Sequence, residues 1–137
     1  MLTLHQIAPA YVCQMWPDVQ PLLAEALKYA GGEYSVDQLQ VMLVRGEQTL
    51  LVAADEERKV HGAATVQFIA YPAKRVAFVT AISGRMITTE YLWQQLQAWC
   101  REHGATAIQG AARESIARLW KQKFGFEQRY IIVEHGL

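Results

Sequence analysis

Residues 75–82, RVAFVTAI, form a nearly unbroken apolar run of strand length. A strand with no polar face has to be covered on both sides, so this one belongs inside a sheet. The rest of the chain must then supply flanking strands and two covering layers. Residues 2–7 alternate apolar and polar and read as a short strand. Residues 49–54 and 60–70, parted by the charged turn 55–59, read as an antiparallel hairpin. Residues 71–74 turn the chain back into the apolar run. Beyond it, residues 105–111 (ATAIQGA) and 128–135 (QRYIIVEH) read as two more strands, each preceded by a helical pattern.

The helices carry their own signals. Pro9 suits a first helical turn. Val12, Met15, Val19, Leu22, Leu23, Ala26 and Leu27 then follow near helical spacing toward Ala30, and Gly31-Gly32 end the segment. Pro17 and Pro21 each remove an amide donor, which predicts a break near Trp16 and a kink near Pro21. Ser35 with Gln38 has the spacing of a capping box. It opens a helix whose apolar face is Val36, Leu39, Met42 and Leu43, stopped by Gly46. Thr88 or Thr89 can cap a helix with the stripe Leu92, Leu96, Trp99 and Cys100, which ends at Gly104. Trp93 lies six residues from Trp99, outside one narrow stripe, so one of the two is expected at the surface, where Trp favours partner contacts. Glu114 or Ser115 opens a last helix with Ile116, Leu119, Trp120 and Phe124 inward and Gly125 as its stop. The order β, α, α, β, β, β, α, β, α, β implies an α/β (α+β) architecture: a mixed, mostly antiparallel sheet with helices on both faces.

Composition narrows the function. No repeat or linker divides the 137 residues, so residues 1–137 are expected to form one domain. Thirteen basic residues balance thirteen acidic ones, which argues against a nucleic-acid partner. No window approaches the ~18 apolar residues of a membrane span. The start of the chain lacks the basic and apolar regions of an export signal. Cys13 and Cys100 are therefore expected as reduced thiols of a cytoplasmic protein. His5, His61, His103 and His135 are scattered without metal-ligand spacing, so no metal is expected.

From residue 75 to Phe126 the order is an apolar strand, a loop, the helix with LWQQLQAWCREHGA, a strand, and a helix ending in KFGF. This arrangement resembles the GNAT family of N-acetyltransferases. Leu92, Leu96, Trp99, Cys100 and Gly104 match its third helix, and Gly125-Phe126 matches the end of its last one. These are packing signatures, and they speak for fold before chemistry. More narrowly, Trp93, the Trp99-Cys100 pair and Arg113 resemble small GNAT-like proteins of tailed bacteriophages, some of them linked with virion assembly.

The resemblance implies a coenzyme A site at the loop that opens the third helix. Glycines there let the backbone approach the pyrophosphate, while free amides and the helix dipole hold it. In this chain the expected basic position falls on Gly84, with Arg85 one residue out of register. The two glycine positions fall on Ile87 and Thr89. A β-branched Ile87 does not readily take a positive φ. The candidate cofactor residues are Ile82, Ser83, Gly84, Arg85 and Met86, followed by Ile87, Thr88 and Thr89, with Arg113 beyond the next strand. The bland reading of the same loop is a strand-to-helix turn with a Thr cap, itself worth ~1 kcal/mol.

The family's tyrosine acid has no counterpart. Trp120 stands nearest that place, and an indole N–H does not titrate usefully. Core packing beside Ile116 and Phe124 is its expected role. Residues 75–82 hold no Glu, Asp or His that could serve as a base. Glu33 and Tyr34 remain as candidates at the acceptor side, set against a plain solvated loop. Glu134 and His135, adjacent on a strand, would point to opposite faces. Arg113, Arg118, Lys121 and Lys123 form a basic cluster that more often is a solvated face.

Two functions follow from the resemblance. One is an N-acyltransferase moving an acetyl or other acyl group from acyl-CoA to an amine, with a reduced cofactor loop. It needs an open cleft beside residues 83–89. The other is a catalytically inactive GNAT-fold protein acting in phage virion assembly, or as a protein-binding module, in the host cytoplasm. It tolerates a cleft plugged by Ile87, Trp93 or Trp120, and it predicts an exposed apolar patch or an oligomer interface.

Overall fold

The computed structural model describes residues 1–137. Five strands, β1 (Thr3–Ile7), β2 (Thr49–Ala54), β3 (Val60–Ala70), β4 (Arg75–Gly84) and β5 (Ala107–Gly110), form one sheet in that order. The first three pairings are antiparallel and β4–β5 is parallel. The four helices are α1 (Val12–Leu27), α2 (Val36–Val44), α3 (Glu90–Glu102) and α4 (Glu114–Phe124). This is the mixed, mostly antiparallel α+β architecture read from the sequence. No helix is long and apolar enough to cross a membrane.

Two cores cover the two faces. On one, Val12, Val19 and Leu23 of α1 and Leu39 and Leu43 of α2 pack on Leu50, Val52, Ala63 and Ala81. On the other, Leu92, Leu96 and Cys100 of α3 pack on Leu51, Ala64, Val66, Ala77 and Val79. Strand alternation sorts these residues, since neighbours along β2 and β3 point to opposite layers. The Ser35–Gln38 capping box forms in both directions, at 2.9 and 3.1 Å.

Four expectations are corrected. First, α1 runs unbroken through Pro17 and Pro21. Both prolines are exposed, so the carbonyls they leave without a helical donor can be hydrated, and the buried side of the helix is untouched. Second, Trp93 and Trp99 are both buried. Trp93 lies against Phe124 and Phe126, with ring centroids at 5.0 and 5.4 Å. Trp99 tilts on Phe68 and donates its indole N–H to Gln6 Oε1 at 2.9 Å. The buried arc of α3 is wide because the sheet and the end of α4 cover it from two directions. Third, β4 extends past Ile82 to Gly84, so Ser83 and Gly84 belong to the strand. Fourth, residues 128–135 form no strand. An unbroken Tyr-Ile-Ile-Val stretch needs cover on both faces, and here these residues pair with no strand and lie exposed.

Candidate functional site

The sheet opens where β4 departs from regularity. Thr65 of β3 pairs with Ala81 and Val66 with Val79, which leaves Thr80 as the extra residue of a β-bulge. Its hydroxyl ties the bulge to β3 and to the residue before β2. Thr80 Oγ1 donates to Gln48 Oε1 at 2.5 Å and lies 2.6 Å from Thr65 Oγ1. A hydroxyl has one proton, so Thr65 is the donor in the second bond. Gln48 and Thr65 are both buried.

The last parallel pair of β4 and β5 is Val79–Gly110. Beyond it β4 continues to Gly84 while β5 has ended, and the two strands part. The space between them is a cleft of about 320 Å³, lined mainly by hydrophobic residues. One wall is residues 79–84. The other is residues 111–113, with Ile116 and Trp120 of α4; the end of α1 contributes Glu25 and Ala26, and the turn after it Tyr29 and Ala30. The Arg85 amide bonds the His61 carbonyl on β3 at 2.8 Å. Strand alternation then turns the peptide group of Ile82 away from β3, toward the cleft.

Of the candidate cofactor residues, Ile82, Ser83, Gly84, Ile87 and Arg113 line this cleft. Arg85, Thr88 and Thr89 do not. Met86 does not line the cleft either: it is 1 % exposed and its side chain packs in the α3 core. The Thr89 hydroxyl accepts the Leu92 amide at 3.1 Å as the N-cap of α3, and the Thr88 hydroxyl donates to the Arg85 carbonyl. The Trp93 amide is taken by the Thr89 carbonyl, so Glu90 and Tyr91 keep the free amides of that helix end. Gly84 has φ 68°, and a Cβ there would stand 2.5 Å from the His61 carbonyl oxygen.

Trp120 packs on Phe126 and also faces the cleft, lying over Gly110, where a Cβ would meet its ring at 3.3 Å. Glu33 and Tyr34 do not line the cleft: Glu33 is exposed beside Gly31, and Tyr34 packs on the α1–α2 core. Sequence reasoning missed Glu25 and Tyr29. The Arg113 guanidinium lies 3.9 Å over the Tyr29 ring, a cation–π contact joining the end of α1 to the start of α4 across the cleft. Glu25 is engaged by Lys28 at 2.7 Å. The available signal was position, because the last turn of α1 precedes the double glycine and must end near the sheet. Glu134 and His135 lie in the exposed C-terminal segment, and Arg118, Lys121 and Lys123 on the exposed side of α4.

No family model matches the sequence, and no curated protein does. Solved structures match over nearly the whole chain. A probable acetyltransferase is 17% identical with a TM-score of 0.68, covering 98% of this chain and 96% of its own. An aminoglycoside acetyltransferase from an uncultured soil metagenomic sample, in complex with sisomicin, is 15% identical with a TM-score of 0.71, covering 99% and 96%. A Trypanosoma brucei acetyltransferase is 13% identical with a TM-score of 0.67, covering 100% of both chains. At these identities the likeness establishes the fold, which is that of GNAT-type acetyltransferases.

Proposed function

We propose that this chain is an N-acyltransferase that takes an acyl-CoA thioester in the cleft between β4 and β5 and passes the acyl group to an amine. The observation that carries the reading is the parting of β4 and β5 beyond the Thr80 bulge. The resulting cleft is open: Ile87 and Trp120 line it without filling it, and Trp93 is packed away in the α3 core. Its unpaired β4 edge can hydrogen-bond the amide-bearing arm of such a ligand, and its apolar lining suits a short acyl group. At the polyanionic end, Arg85 and the free amides of Glu90 and Tyr91 are what the chain offers.

When bound, the thioester supplies the carbonyl carbon to which the amine bonds as the C–S bond breaks. The Ile82 amide serves as the donor to the carbonyl oxygen as negative charge develops there. Trp120 and Ile116 exclude water from one side of the cleft. No carboxylate or imidazole other than Glu25 lines it, so the amine proton passes to solvent or to Glu25 through water, and the departing thiolate is protonated from solvent. Arg113, pinned on Tyr29, sets the width of the acceptor side. An aminoglycoside, the ligand of one structural neighbour, is a reasonable first amine to test.

Thermal unfolding with and without acetyl-CoA tests the reading. A ligand at ~100 times its dissociation constant stabilises the native state by about 2.7 kcal/mol, a rise of several degrees. Absence of any shift with acetyl-CoA, longer acyl-CoAs and free CoA would overturn it. That outcome would favour the second reading, a catalytically inactive assembly module of a phage virion, for which the buried Met86 and the exposed apolar C-terminal segment speak.

A further inference from the structure

Arg113 is the one basic side chain that lines the cleft, and no carboxylate of the chain pairs with it. Its neighbour Arg118, by contrast, meets Glu114 at 3.4 Å, and Arg45 meets Glu47 at 3.1 Å. The contact Arg113 does make is with the Tyr29 ring, 3.9 Å from the guanidinium carbon. That contact fixes where the head of a long and otherwise free side chain lies. The N–H donors of the head stay available, and their planar fork matches the two oxygens of a carboxylate. The only other charge lining the cleft is Glu25, which Lys28 engages at 2.7 Å. Those two cancel, so Arg113 leaves the site with one uncompensated positive charge.

Position sets Arg113 apart from the polyanionic end of an acyl-CoA. α1 covers one face of the sheet and α3 the other. Tyr29 lies just past the end of α1 and holds the guanidinium on that side. The free amides of Glu90 and Tyr91 open α3, on the opposite side. What meets Arg113 is therefore the molecule that arrives from the α1 side, the acceptor. Its amine cannot be what Arg113 holds: an ammonium is repelled, and a neutral amine needs its lone pair for the acyl carbon. A carboxylate elsewhere on the same molecule fits the charge, the fork and the place. The cleft holds about 320 Å³, part of it taken by the thioester arm, so that molecule is small.

We infer that the acceptor is a small amine bearing a carboxylate, a free amino acid, with the carboxylate on Arg113 and the amine turned toward Ile82. This rests on the acyltransferase reading and names its substrate class. The nitrogen bonds the acyl carbon and gives up one proton, the C–S bond breaks, and the departing thiolate takes up a proton. The products are the N-acyl amino acid and the free thiol of CoA.

Two measurements on the full chain test this. Thermal unfolding with acetyl-CoA shows whether the thioester binds. Formation of the N-acetyl product, read by mass, is then followed with the common amino acids and with their carboxamides. Amidation removes the negative charge and makes the amine less basic, so an unselective reaction favours the amide. The expected result is an amino acid whose kcat/KM exceeds that of its amide by about 10-fold or more, as for a charged hydrogen-bond partner lost. Arg113 is exposed, so Arg113→Gln leaves the fold intact. It should bring that ratio near one by raising KM for the acid, with the acetyl-CoA shift as in wild type. Arg113→Lys keeps the charge without the fork and should retain part of the preference. Absence of an acetyl-CoA shift overturns the acyltransferase reading, and this inference with it. A normal shift with amides used as well as acids, with no amino acid acetylated, or with an aminoglycoside preferred to all of them, overturns this inference alone. So does an Arg113→Gln protein that keeps the acid preference, or one that loses the acetyl-CoA shift, which would assign Arg113 to the cofactor.

Discussion

Replacing Thr80 with Val probes the bulge that opens the cleft. The side chains are isosteric, so the change removes a hydroxyl and little volume. Two buried groups lose their partner: Gln48 Oε1, which accepts from Thr80, and the Thr65 hydroxyl, which donates to it. Gln48 is 2 % exposed and Thr65 is fully buried, so water does not replace what is lost. A buried polar group left unsatisfied costs ~1–3 kcal/mol, which for two groups makes the expected loss about 2–6 kcal/mol. With a mid-range urea m-value of ~2 kcal/mol/M, the unfolding midpoint falls by roughly 1–3 M. Thr80→Ser keeps the hydroxyl and deletes one methyl group, costing about 1 kcal/mol or less. Equilibrium urea unfolding of the two variants beside wild type gives the comparison. Should Val cost no more than Ser, the hydroxyl does not hold the bulge and the argument is wrong.

Gly84→Ala should destabilise by more than Gly125→Ala. Both glycines have positive φ, worth ~1–2 kcal/mol against a side chain, but a Cβ at Gly84 also strikes the His61 carbonyl while Gly125 has open space around it. Equal losses in thermal unfolding would show that β3 yields there. Burial pushes the Cys100 thiol up to about 11 from its ordinary 9.0, whereas Cys13 is exposed. A thiol reagent near pH 8 should therefore label one cysteine per native chain, and two after unfolding. Because its folded value is raised, Cys100 contributes stability that is complete below pH 9.0 and lost as pH rises toward 11. The loss should shrink in Cys100→Ala, read from unfolding across that pH range.

Much of the fold was legible because its signals are local. The capping box at Ser35–Gln38, the glycine stops at Gly46, Gly104 and Gly125, and the apolar strand 75–82 each depend on a few neighbouring residues. What failed depends on surroundings. Whether Pro17 and Pro21 break a helix turns on which side faces water. Trp93 and Trp99 are both buried because a second layer reaches round α3. The strand pattern of residues 128–135 is strong, yet the segment pairs with no strand and lies exposed. At the cleft, residues 82–84, Ile87 and Arg113 could be placed from the loop's position. The bulge could not, because Thr80 looks like any other residue of an apolar strand. Tyr29 and Glu25 come from an element far away in sequence, and only the packed structure sets them opposite Arg113.

Strand order in space follows strand order in sequence, and this divides the molecule kinetically. The meander β2–β3–β4 closes by short connections, so it can form early and without long loops. β5 and α4 join last, through a parallel ladder of only four pairs. The two sides of the cleft thus belong to different cooperative units, one deep in the protected part of the sheet and one at the low end of the opening scale. Amide exchange should report slow, near-global opening along β3 and β4 and faster, independent opening along β5 and α4. A ligand held between the two walls should then slow exchange chiefly in the second unit.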